Sequence, residues 1–143
     1  MRSFTYPIRV SRDRAGRYLI TFPDLPRCAT DGRTVAEALD EAADALEEAI
    51  AHRIAQGLEI PPPSRLKKGR RAVSLSAQMS AKAALYLALR TAGISQSALA
   101  RRLDVGEAEV RRMLNPRHNT RLRRLEQALA ALGQRLVVHA EAA

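Results

Sequence analysis

Ser95-Gln96-Ser97-Ala98-Leu99-Ala100-Arg101-Arg102-Leu103, then Asp104-Val105-Gly106, then Glu107-Ala108-Glu109-Val110-Arg111-Arg112-Met113-Leu114 reads as two short helices around a tight turn. Ser95 is a suitable N-cap, because its hydroxyl can accept from an otherwise unpaired amide of the first turn. Leu99, Ala100, Leu103, Val105, Val110 and Leu114 supply apolar or small side chains where two steeply crossed helices must meet. That spacing is the helix-turn-helix arrangement, in which the amino end of the second helix enters the DNA major groove. Glu107, Ala108 and Arg111 then face base edges. Arg111 suits guanine, since its planar fork can meet O6 and N7 together. Glu107 can accept from cytosine N4, or simply favour the positive end of its own helix.

From Gly93 to Gly133 the chain resembles the Cro-type phage-repressor and xenobiotic-response-element family, on Gln96-x-x-Leu99-Ala100, Val105, Val110 and Asn115. The resemblance implies phosphate contacts at Gln96, Asn115, Arg117 and His118, with Arg112 able to meet either phosphate or base. The family's turn usually holds Gly where this chain has Asp104, a residue type that tolerates left-handed backbone at modest cost. An αα-hairpin that merely packs a bundle is the competing account, and the surrounding Arg101, Arg102, Arg111, Arg112, Arg117, Arg121, Arg123 and Arg124 weigh against it.

On either side of this pair the helical pattern continues. Ala77 to Ala92 is rich in Ala and Leu and stops at Gly93; Leu122, Leu125, Leu129 and Leu132 form an amphipathic helix ending at Gly133. Arg135 to His139 is expected to be a short strand. A lone edge strand is unstable, so it joins the amino-terminal sheet or pairs with its copy in a second chain. Leu136 and Val138 are the candidate dimer contacts, and a homodimer, with a tetramer as the alternative, would present two recognition helices to an inverted-repeat operator.

The amino-terminal part follows different periodicities. Phe4 to Val10 and Tyr18 to Phe22 read as a hairpin around Asp13-Arg14-Ala15-Gly16, with Tyr18, Ile20 and Phe22 on one face. Pro23 and Pro26 predict a fixed bend before a short extended piece, Cys28 to Thr30, closed by Asp31-Gly32. Thr34-x-x-Glu37 has capping-box spacing and opens a helix that stops at Gly57. Its expected core stripe is Val35, Leu39, Ala42, Leu46, Ala49 and Ile50, with Glu37, Asp40, Glu41, Asp44, Glu47 and Glu48 opposite.

Charge divides the chain in the same place. Residues 1–64 hold 8 Lys/Arg against 10 Asp/Glu, whereas 65–143 hold 16 against 5. A basic carboxyl half suits a polyanion such as duplex DNA. Pro61-Pro62-Pro63 and the cations after it suggest a connector, so the expected domains are 1–64, a basic linker at 65–71, and 72–143; Ala72 to Leu75 can instead add a strand to the first. The fold class is α+β, a small sheet-plus-helix module followed by an all-α helix-turn-helix domain with a short terminal strand.

No apolar run approaches the ~18 residues of a membrane span, and Met1 to Val10 lacks a signal-peptide core, so the chain is expected in the cytoplasm, at the nucleoid when operator-bound. One cysteine and three histidines are too few for a disulfide framework or a structural zinc. No cofactor or metal is expected. Ribonuclease H-like hydrolysis needs carboxylates converging on two metal ions, including one on the first strand, and Phe4 to Val10 has none. Asp13, Asp24 and Asp31 fall in turns, and Cys28 lacks a charged helper, so no catalytic residue is assigned.

The segment Tyr18-Leu19-Ile20-Thr21-Phe22-Pro23-Asp24-Leu25-Pro26-Arg27-Cys28, with Asp31-Gly32-x-Thr34, Glu37-Ala38 and the Ala/Glu-rich helix to Gly57, is similar to the HicB antitoxin family. Arg27 stands where that family usually has Gly. The resemblance implies a partial ribonuclease H-like fold that binds a HicA-type toxin, an mRNA-cleaving ribonuclease, while the carboxyl domain represses its own operon. A toxin that acts on RNA is basic, so the expected toxin contacts are Glu37, Glu41, Asp44 and Glu48 with Phe22, Asp24 and Leu25. The alternative is a one-component transcription regulator whose amino-terminal domain senses a small ligand.

Overall fold

The computed structural model describes residues 2–142. It is mixed α+β, with an amino-terminal sheet region followed by helices, and it divides into two compact units, Met1–Ser76 and Ala77–Ala143.

In the first unit the opening apolar segment is not one strand but two. β1 (Thr5–Pro7) and β2 (Arg9–Arg12) separate at Ile8 and join different sheets. β2 pairs antiparallel with β3 (Tyr18–Phe22), which pairs with β4 (Leu25–Gly32). β1 instead pairs with β5 (Ala72–Ser74), in the register Tyr6 opposite Val73. Pro7 has no N–H, and the Ile8 amide donates to the Arg71 carbonyl at 3.0 Å, so the chain changes partners where its own donor pattern is interrupted. β4 is also longer than the expected Cys28–Thr30. It lies at a sheet edge, where Pro26 costs no central ladder bond, and a register irregularity at Thr21/Phe22 absorbs the tight Pro23-Asp24 turn.

α1 (Val35–Gln56) begins as its spacing predicts. The Glu37 amide donates to Thr34 Oγ1 at 3.1 Å, and the Arg33 amide to Glu37 Oε2 at 3.2 Å. Gly57 ends it in left-handed backbone, φ +67°. The helix lies against β3, β4 and β5 and so bridges the two small sheets. Its buried stripe is Ala38, Ala42, Leu46, Ile50 and Ile54; Val35, Leu39 and Ala49, expected in the core, are only half-buried. A strict four-residue stripe of this kind places small alanines over the first turn, where β4 comes closest, and larger side chains further along.

Residues 61–71 are not a free connector. Tyr6 Oη donates to the Pro61 carbonyl at 2.7 Å, the Ser64 amide donates to Asp24 Oδ2 at 2.8 Å, and the Arg70 amide donates to the Lys67 carbonyl at 3.1 Å. The basic segment is therefore pinned along the first unit, because β5 must return beside β1. The boundary between compact units falls at Ser76/Ala77 rather than at residues 65–71.

The second unit is built from α2 (Ala77–Ala92), α3 (Gln96–Leu103), α4 (Glu107–Leu114) and α5 (Leu122–Ala131). Leu99, Ala100, Val110 and Leu114 are buried at the α3/α4 crossing, while Leu103 and Val105 are half-buried. Asp104 takes the left-handed conformation, φ +53° and ψ +49°, which ends α3 and turns the chain into α4. Residues 135–139 form no strand: the described residues of the second unit hold only helices, so no strand there offers their backbone groups a ladder. Leu136 is half-buried, and Val137 and Val138 are 57% and 68% exposed.

Candidate interaction surfaces

α4 has eight residues, and burying Val110, Met113 and Leu114 commits one side of it to the core. By helical periodicity Glu107, Ala108, Arg111 and Arg112 then face outward together, and all four are exposed. Glu107 is not idle there. Its Oε1 accepts from Ser97 Oγ at 2.7 Å and its Oε2 lies 4.0 Å from Arg111, so the carboxylate ties the start of α4 to α3 and borders the arginine. Gln96 is exposed at the start of α3.

Asn115, Arg117 and His118 occupy the loop after α4, whose shape is set by short-range bonds. The Arg117 amide donates to Asn115 Oδ1 at 3.0 Å, and the His118 amide donates to the Asn115 carbonyl at 3.1 Å. Asn115 thus shapes the loop, while Arg117 is exposed and His118 half-buried. Arg124 pairs with Glu109 at 3.2 Å, and Arg102 Nη1 donates to the Ala131 carbonyl at 3.3 Å, so part of the arginine excess is spent within the unit.

The residue that holds this loop is Lys82, absent from the sequence-based set. It is fully buried on α2, and its Nζ donates to the Arg112 carbonyl (3.0 Å), the Met113 carbonyl (3.0 Å) and Thr120 Oγ1 (2.7 Å). Those carbonyls belong to the last turn of α4, where intrahelical donors run out; the Arg112 carbonyl also accepts from the Asn115 amide at 3.2 Å. Burial pushes the ammonium down to about 8. One turn earlier, Gln78 Nε2 donates to the Thr120 carbonyl and Gln78 Oε1 accepts from its amide, both at 2.9 Å. A legible signal existed: Lys82 falls on the same helical stripe as Met79, Tyr86 and Leu89, all buried.

On α1 the carboxylates Glu37, Glu41, Asp44 and Glu48 are exposed at helical spacing, away from the buried stripe. Glu37 shares its carboxylate with the cap. Phe22, Leu25 and Asp24 do not join them. Phe22 and Leu25 are 1% and 2% exposed and hold the core, and Asp24 is turned onto the Ser64 amide and hydroxyl. Beside the acidic stripe, a groove between β4 and α1 is lined by Arg27, Cys28, Ala49, His52 and Leu58. The Cys28 side chain is buried and burial raises its thiol, which disfavours the thiolate. Asp13 accepts from the Arg17 amide and Asp31 pairs with the Arg17 guanidinium at 2.8 Å, whose hydrogen bond holds the Asp31 carboxyl below its usual range. Among the described residues no three His, Cys, Asp or Glu side chains converge to hold a metal, and no helix is long and apolar enough to cross a membrane.

Comparison with known proteins bears on these surfaces. Residues 5–84 match the family described as HicB_like antitoxin of bacterial toxin-antitoxin system. The chain is similar to Antitoxin HicB of Escherichia coli (strain K12), 33% identical over 131 residues, 92% of this chain and 95% of that one. It is similar to Antitoxin HicB 2 of Photorhabdus laumondii at 34% over 135 residues, covering 94% and 95%. Antitoxin HicB of Pseudomonas fluorescens (strain Pf0-1) is 33% identical over 141 residues, covering 98% and 96%.

Proposed function

Because this chain belongs to the HicB-like antitoxin family of bacterial toxin–antitoxin systems, we propose that it neutralises a HicA-type ribonuclease with its first unit and represses its own operon with its second. The observation that carries this reading is the segregation of two opposite surfaces: an exposed carboxylate stripe on α1 in one unit, and an exposed arginine face on α4 in the other. A ribonuclease must be basic to hold RNA, and complementary charge accelerates its capture by the acidic stripe. On this reading the protein acts by binding, not catalysis. The first unit is a partial ribonuclease H-like fold, and α3 and α4 are a Cro-type helix-turn-helix whose α4 enters the major groove of operator DNA at the nucleoid.

Glu37, Glu41, Asp44 and Glu48 are the toxin-facing groups on this reading, and burial removes Phe22 and Leu25 from that role. Double reversal, Glu41→Lys with Asp44→Lys, is expected to slow association with a HicA-type toxin and to flatten its salt dependence, with little change in dissociation. Stopped-flow binding measures both rates. A folded chain that neither binds nor inhibits that protein would favour the ligand-sensing regulator instead.

For the second unit, Arg111→Ala is expected to lower discrimination at one base position by ~1–3 kcal/mol, whereas Arg117→Ala weakens all duplexes alike. Binding to operator and random DNA separates the two, and equal losses for Arg111→Ala would remove it from base readout. Two half-sites call for a homodimer, with Leu136 and Val138 as the contact: both lie in a segment that, among the described residues, pairs with no strand. A chain ending at Gly133 then runs as a monomer in light scattering and loses operator affinity; a dimeric truncation rules the segment out.

A further inference from the structure

The first unit carries a basic concavity that neither toxin capture nor the α4 surface uses. Arg9 at the start of β2 and Arg65, Lys67 and Arg70 from the pinned segment surround it, with Ser64 at its edge. All four cations are exposed, and none has an ion-pair partner among the described residues. The carboxylate in the neighbouring turn, Asp24, is occupied by the Ser64 amide and hydroxyl.

A solvated basic linker would spread its charges and pay chain entropy to gather them on a ligand. Here the bonds from Tyr6 to Pro61, Ser64 to Asp24, Arg70 to Lys67 and Ile8 to Arg71 hold the backbone on both sides of the cluster. Gathered cations above a concave protein wall concentrate anions locally. A basic ribonuclease would be repelled from this face, so the toxin is a poor occupant. A polyanion fits, and the one that the second unit's proposed role already brings to the chain is duplex DNA.

We propose that Arg9, Arg65, Lys67 and Arg70 form a second, sequence-independent site for the phosphate backbone of duplex DNA. The choice of duplex over RNA rests on the operator-binding reading above. Tethered to the base-reading unit, such a site adds affinity by effective concentration and adds no base preference.

The test uses the full chain carrying Arg65→Gln, Lys67→Gln and Arg70→Gln together, beside a charge-matched control with Arg14→Gln, Arg27→Gln and Arg33→Gln on other exposed positions of the same unit. Fluorescence anisotropy follows binding to operator duplex, random duplex and a single-stranded RNA of equal length across a salt series. Since each phosphate contact contributes a slope near 0.9, the site variant should lose about 2–3 from the dependence of log K on log salt, on both duplexes, while the control loses little. Its preference for operator over random DNA should stay that of the parent chain. Equal slopes for site variant and parent, or equal losses in site variant and control, overturn the proposal. A loss confined to the RNA overturns it in favour of RNA, and a parent chain that binds no duplex at low salt overturns it outright. Failure of the base-reading assignment is distinct: Arg111→Ala would leave discrimination intact while the site variant still loses its slope.

Discussion

Lys82→Met is expected to lower the unfolding free energy by about 3 kcal/mol at pH 7, because it removes three buried charge-assisted hydrogen bonds while nearly preserving side-chain volume. The Arg112 carbonyl keeps the Asn115 amide at 3.2 Å and the Thr120 hydroxyl keeps His118 Nδ1 at 3.2 Å, but both lose the ammonium, as does the Met113 carbonyl. Removing a buried charge relieves a desolvation cost, which works in the opposite direction. Three acceptors for three N–H groups make the loss of bonding the larger effect.

The pH dependence separates these two contributions. The Lys82 ammonium is pushed down to about 8 in the folded chain, against 10.5 for an ordinary lysine. Between those values the unfolded chain binds the extra proton, so this group makes stability rise with pH from about 8 to 10.5. Its destabilising contribution is fully present below the lower value. Denaturant unfolding at pH 7 and pH 9.5 should show this rise in the parent chain and lose it in Lys82→Met. A variant at least as stable as the parent at pH 7 would mean that desolvation outweighs the three hydrogen bonds. The functional consequence is local: Lys82 and Gln78 fix Thr120, and the loop they fix carries Arg117 and His118.

Gly32→Ala should cost a similar ~3 kcal/mol, by steric conflict and not by backbone strain. A Cβ built on Gly32 would stand 2.5 Å from the Ala38 amide nitrogen and 2.8 Å from its Cα. These are backbone atoms of α1, so no rotamer change relieves the overlap, and the helix must lift from the end of β4. Core residues Ala38 and Ala42 would then lose their fit to the sheet. Thermal melting should fall, and the proposed capture of a toxin should weaken with it. An unchanged melting temperature would show that β4 and α1 separate there at little cost. Gly57→Ala offers the contrast: nothing lies near its Cβ, and only its φ of +67° is unfavourable.

Local rules made much of this protein readable from its residues. The Thr34 capping box, the Gly57 stop, the Ser95 cap and the left-handed Asp104 each depend on a few neighbouring atoms, and each stands where short-range chemistry puts it. The outward face of α4 was equally legible, since helical periodicity opposes Val110, Met113 and Leu114 to Glu107, Ala108, Arg111 and Arg112. Contacts between distant segments were not legible in this way. Phe4 to Val10 has the composition of one strand, and only the return of β5, with Ser74 lying 69 positions on from Thr5, divides it between two sheets. Asp24 looked like a surface carboxylate until Ser64 folded onto it, 40 residues away. Gly32 read as a turn residue, yet its missing side chain makes room for α1. Lys82 belongs with them, a charge whose burial is tolerable because a loop 38 positions on supplies its acceptor. Sequence by itself determined the helices, their caps and their charged faces, because those follow from residues within a turn or two of each other. Tertiary structure alone decided strand partners, the pinning of the basic segment and the loop clamp, because hydrogen-bond saturation and exclusion of volume are settled only when remote segments meet.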